Sequence, residues 1–254
     1  MSWFANNLYA KRTQALEDAL YTEFPGSVYR IDNLKSHSWW RPEILHGVPD
    51  GGLLSVRPFS NGDTDCYLHK WYDESFLNWN KYANFGEAEP PLRIPPEVLG
   101  IDDDTLPPPG FLRFLRHLSK ANDTSLLYYQ CFMWGGSVET EFAFVYFGDD
   151  EYLYSLAGIE EENEHLEIRH NSTDPQKEDG DVLIHAFRHI GLDLPTPYFA
   201  PHASPFDWGS YRVGCQALTA IQKGVCIPRW KTIGTRWAAR IISNLRAYLR
   251  FGRK

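Results

Sequence analysis

Leu8, Ala15, Leu16, Ala19 and Leu20 recur at helical spacing, with Glu17 and Asp18 on the opposite side, so the N-terminal segment is expected to be one amphipathic helix ending near Pro25 and Gly26. Two short β-like runs follow, residues 53–59 and 66–72, and Ser60, Asn61, Gly62 and Asp63 between them predict a hairpin. Between Pro90 and Gly110 lie seven of the seventeen prolines, which predicts an extended strap or a boundary between two halves. Pro109 then suits a first helical turn, and Phe111, Leu112, Phe114, Leu115 and Leu118 form an apolar stripe with Arg113, Arg116 and Lys120 outside it.

The strongest β pattern comes next. Residues 125–134, 138–147 and 151–157 are rich in aromatic and β-branched side chains and are separated by glycine-containing turns, which predicts a three-stranded antiparallel meander. Within the second strand, Val138, Thr140, Phe142, Phe144 and Tyr146 alternate with Glu139, Glu141, Ala143, Val145 and Phe147, so one face is apolar throughout and is expected to receive the 111–118 helix. Residues 181–190 read as a short helix between Gly180 and Gly191, and residues 216–222 as another. The stretch LPTPYFAPHASPFDW reads as an ordered but irregular loop. At the end, Trp237, Ala238, Ile241, Leu245, Tyr248 and Leu249 fall within an arc of roughly 120°, opposite Arg236, Arg240, Arg246, Arg250 and Arg253, so a basic amphipathic helix is expected there. The fold class that follows is α+β: an antiparallel sheet of meander and hairpins packed by several helices, as one domain over 1–254 with a possible division into 1–89 and 105–254 at the strap.

Charge changes this picture more than composition does. Residues 208–254 hold ten Lys and Arg and no acid, while the rest of the chain carries a net charge of −18. From Asp149 to Asp181 twelve acids face only Arg169 and Lys177. The tail can dock on the acidic body, adsorb to an anionic membrane, or touch nucleic acid; the overall charge of −8 opposes the last of these. The start lacks the basic and apolar regions of an export leader, no run of 18 apolar residues occurs, and no two of the four cysteines are at CxxC spacing, so a cytoplasmic protein with reduced thiols is expected.

Candidate chemistry is thin. His185 and His189 stand four apart on an expected helix, but Ala186 and Phe187 break the HExxH register, so no metal is expected. Cys215 just before the expected 216–222 helix would gain a lowered thiol pKa from the dipole, and nine histidines could serve as its base, which keeps a Cys–His hydrolase open as an alternative. A nucleophile elbow, a phosphate loop, a dinucleotide fingerprint and an acid two residues before a lysine are all missing, so the chain is expected to be a binding protein without cofactor rather than an enzyme. The acidic surface suggests a basic protein partner, contacted by Asp149, Asp150, Glu160, Glu161, Glu162 and Glu164, extended by Asp102, Asp103 and Asp104, with Trp134 or Tyr152 as an aromatic anchor. A membrane-peripheral adaptor using the tail is the other alternative.

The stretch PPPGFLRFLRHLSKANDTSLLYYQCFMWGGSVETEFAFVYFGDDEYLYSL, with the later HIGLDLPTPYFAPHASPFDW, resembles immunity proteins of bacterial polymorphic-toxin and type VI secretion systems, in particular those paired with toxins of restriction-endonuclease fold. The resemblance spans about residues 51–208 and rests on pattern and order. It implies a cytoplasmic protein that binds its cognate toxin, a nuclease, and protects the producing cell and its siblings. It carries no binding residue of its own onto this sequence.

Overall fold

A computed structural model of the chain describes residues 3–25, 28–31, 34–35, 45–46, 49–56, 82–101, 106–134, 137–158, 163–194 and 215–217. Its N-terminal stretch is a strand followed by a helix, not the single helix expected: β1 covers Trp3–Lys11 and α1 covers Gln14–Glu23. Thr13 divides them, because its backbone is extended and its Oγ1 accepts the Leu16 N–H at 3.2 Å, capping α1. Leu8, Tyr9 and Ala10 are all buried, so β1 lacks the alternation that marks a one-sided strand.

The remaining strands are β2 (Val28–Ile31), β3 (Leu34–Lys35), β4 (Leu45–His46), β5 (Leu53–Val56), β6 (Leu126–Trp134), β7 (Ser137–Phe147), β8 (Asp150–Ala157), β9 (His165–His170), β10 (Gln176–Glu178) and β11 (Cys215–Ala217). The helices are α2 (Pro109–Asn122) and α3 (Val182–Arg188), and a 3-10 turn spans Pro96–Leu99 within the proline-rich strap. Nine strands form one sheet in the order β10-β9-β8-β7-β6-β1-β5-β2-β11, every neighbour antiparallel, and β3 pairs with β4 separately. The fold is therefore α+β. The expected meander is present as β6, β7 and β8, and it continues through β9 and β10, which the acid count had hidden. Strands from before and after the strap share the sheet.

Helices cover both faces. On one, α2 lays its stripe of Phe111, Leu112, Phe114, Leu115 and Leu118, all buried, against the sheet: Phe111 meets Tyr128 at 5.5 Å, and the Ser119 hydroxyl donates to the Tyr146 carbonyl at 2.9 Å. This is the face of Phe142, Phe144 and Tyr146, as expected. The alternate residues Tyr129, Ala143, Val145 and Tyr154 pack with Val182, Leu183, Ala186 and Phe187 of α3 on the other. A bulge between Phe132 and Met133 shifts the β6–β7 register, and Val138 joins the α3 side instead of the Phe142 side.

The strap is tied to the sheet by one buried carboxylate. Glu151, only 2% exposed, accepts the backbone N–H groups of Arg93 at 2.8 Å and Ile94 at 3.0 Å and pairs with Arg116 Nη1 at 2.9 Å. Arg116 also donates to the carbonyls of Pro90 and Pro91. A buried charge needs such partners, and removing one is far costlier than never having had the pair. Residues 215–217 form β11 against β2, so the expected helix over 216–222 begins instead as a strand. The second run of the expected hairpin, most of the 194–208 loop and the basic helix over 237–254 lie outside the described residues.

Candidate functional site

Of the acids expected to meet a partner, Asp149 and Asp150 sit together at the turn between β7 and β8. Phe147 precedes them, and its ring is 46% exposed, the large apolar side chain that stands out among the described residues. Lys120 Nζ donates to Asp149 Oδ1 at 2.8 Å, and this hydrogen bond and the lysine charge hold the Asp149 carboxyl below its usual range. Asn171 Nδ2 donates to Asp150 Oδ1 at 2.7 Å and lowers that carboxyl in the same way, with His170 adding to it. Both groups are consequently anionic throughout the neutral range.

Asn171 is the residue that sets this corner. It adopts the left-handed conformation, φ +52°, which asparagine tolerates better than most side chains. Its backbone N–H donates to the Glu151 carbonyl and its Oδ1 accepts the Glu151 N–H, both at 2.9 Å, so the turn after β9 is locked to the start of β8. Beside it, the Tyr152 ring stacks on His170 with centroids 4.2 Å apart and planes 1° apart, and also meets His189 at 4.4 Å. Burial lowers the His189 pKa, and the charge of His170 lowers it further, while burial pushes the Tyr154 phenol up to about 12. The phenol therefore keeps its proton, and its oxygen shares a hydrogen bond with His189 Nε2 across 2.6 Å.

The other expected contacts do not join this group. Trp134 ends β6, paired with Ser137, and Glu164 directly precedes His165, which pairs with Ala157. Both lie at the opposite end of β8, whose eight residues span roughly 25 Å at about 3.3 Å each. Glu160, Glu161, Glu162, Asp102, Asp103 and Asp104 lie outside the described residues. The sequence reading named Tyr152 but missed Phe147, His170 and Asn171; the dyad of an exposed aromatic followed by Gly-Asp-Asp was the available signal.

The corner presents an exposed ring beside two anionic carboxylates. No group of three or more His, Cys, Asp or Glu able to hold a metal occurs among the described residues, and the His189 Nε2 that a metal would need is engaged by Tyr154. The Cys131 thiol is buried and pushed well above its ordinary pKa by desolvation, first, and by the Glu141 charge. Cys215 belongs to a strand, so the helix-dipole argument for its activation no longer applies. No described helix is long and apolar enough to cross a membrane. No protein-family model, curated protein or solved structure matches the chain.

Proposed function

We propose that this chain is an immunity protein that binds a basic cognate toxin in the cytoplasm and blocks it, the toxin being a nuclease as the family resemblance implies. The observation that carries the reading is the exposed Phe147 ring beside two carboxylates, Asp149 and Asp150, whose lowered pKa values keep them charged. A nuclease grips phosphates with Lys and Arg, and fixed carboxylates answer those cations and speed encounter. An exposed ring supplies the desolvated area in which interfaces concentrate their energy. Tyr152, stacked on His170, extends the surface at low entropic cost because its ring is already held. Glu160, Glu161 and Glu162 continue the acidic run in sequence.

The test is to identify whether a toxin-like protein is encoded beside the gene for this chain, to co-express the two, and to measure association kinetics of the purified pair at about 50 and 200 mM salt, a range over which phosphate-type charge contacts change strongly. Wild-type chain should restore survival. Asp149→Lys with Asp150→Lys should slow association at least about tenfold at low salt and flatten its salt dependence, whereas Phe147→Ala should act on dissociation. Survival and kinetics identical across these variants and the wild type would remove the proposal.

A further inference from the structure

At the end of β8 away from Phe147, a cleft of about 240 Å3 opens between the strap and the sheet. Its apolar side is Val98, Leu99 and Ile101, from the 3-10 turn and the residues just beyond it. On the sheet side the register puts Phe142, Ser155 and Glu167 in one cross-strand row, and Arg169, two residues on from Glu167, shares their face. Size restricts the occupant, because ordinary small-molecule pockets run from about 300 to 1,000 Å3. The cleft holds one long side chain and not a cofactor.

Charge restricts it further. The buried Arg169 is already answered: Nη2 meets Glu167 Oε2 at 2.8 Å, Nε donates to the Thr173 carbonyl at 3.0 Å, and Nη1 donates to Ser155 Oγ at 3.3 Å. It has no call for an anion. Glu167 Oε1, by contrast, lies 3.6 Å from His165 Nε2, an enclosed nitrogen with no hydrogen-bond partner. His165 Nδ1 is 2.9 Å from the Asn163 carbonyl. Glu139, exposed where β7 reaches the cleft, adds a second carboxylate.

We infer that this cleft is an anchor pocket for one lysine or arginine side chain of a protein partner, with its stem on Val98, Leu99 and Ile101 and its cationic head at Glu167 and Glu139. Long basic side chains bury their methylenes and keep the charge at the polar end, which is the division of this cleft. The wall is held in advance, since Glu151 fixes Arg93 and Ile94 just before the 3-10 turn, and a preformed pocket loses less entropy on binding. The inference rests on the reading of the chain as a binder of a basic partner and names the second contact of that surface.

The experiment is an amide NMR titration of the full chain with N-acetyl-arginine methylamide, N-acetyl-lysine methylamide and, as an uncharged match, N-acetyl-norleucine methylamide. Saturable shifts at Thr140, Ser155 and Glu167 with a basic probe, at least tenfold weaker with norleucine, are expected. Glu139→Lys, a substitution at an exposed position, should weaken the basic probe at least threefold, and Leu99→Trp should abolish its binding by filling the space. Absence of saturable shifts, or equal binding of norleucine, overturns the pocket. Partner binding that survives both substitutions yet is lost in Asp149→Lys with Asp150→Lys overturns the pocket alone and leaves the proposed function standing.

Discussion

Beneath α3, the Tyr129 hydroxyl donates to Glu141 Oε1 at 2.8 Å. Burial pushes the Glu141 carboxyl from its ordinary 4.5 up to about 7, against the pull of that hydrogen bond and with help from the charge of Asp181. A carboxyl raised in the folded state keeps its proton after the unfolded chain has lost it. Stability contributed by this group is therefore full below pH 4.5 and declines as pH rises to about 7, by at most about 3.5 kcal/mol at about 1.4 kcal/mol per pKa unit. Glu141→Gln should flatten urea-unfolding stability across that window and leave the protein more stable at pH 8; an unaltered pH slope would refute the assignment. Residue-scale features of this kind were invisible in sequence, where Glu141 looked like one of two acids on an open face. The second helix layer that buries it could not be read from β7 alone.

At the scale of elements, two glycines hold backbone segments closer than a side chain allows. A Cβ at Gly110 would collide with the Tyr82 carbonyl where α2 begins, and one at Gly158, φ +76°, would strike the Asn163 carbonyl across the neck of the β8–β9 connection. Gly110→Ala should cost about 1–3 kcal/mol, read as a lowered urea midpoint at constant slope. An unmoved midpoint would show that the two segments separate freely. The α2 stripe was legible from its period of 3.6, and the β6–β8 meander from its aromatic and β-branched runs between glycine-containing turns, although both of its faces are covered. β1 was not, because protein on both faces buries Leu8, Tyr9 and Ala10 in succession and erases the alternation, whereas β5 falls within the expected 53–59 run. With that signal gone, Leu8 matched the helical spacing of Ala15 and Leu16 by coincidence.

Among the described residues, the strands turn one linear acidic run into two separated acidic regions. Asp149 and Asp150 lie at one end of β8 and Glu164 at the other, so a count of charge along the chain could identify the acidic character but not its division. A partner engaging both ends must present cations roughly 25 Å apart, the length of β8. Reversals at the two ends should then contribute independently to the affinity, as sites more than about 7–10 Å apart with no shared partners do. A double-mutant cycle between Glu139→Lys and Asp150→Lys measures this, and a large coupling energy would mean that a single cation bridges them.

The position of β1 has a consequence for how the chain reaches this state. β1 precedes the other described strands in the chain, yet it pairs on one side with β5 and on the other with β6, joining Ala5 to Cys131 across more than a hundred residues. Contacts of such long sequence separation must meet the entropy of closing a large loop before they return anything, and domains dominated by them fold in milliseconds to seconds. A nascent chain that has not yet emitted residue 126 holds β1 with one edge open, and the sheet cannot be completed from the N-terminal side alone. Ribosome-stalled chains ending before β6 should remain sensitive to protease, and resistance should appear only once β6 and β7 have left the tunnel.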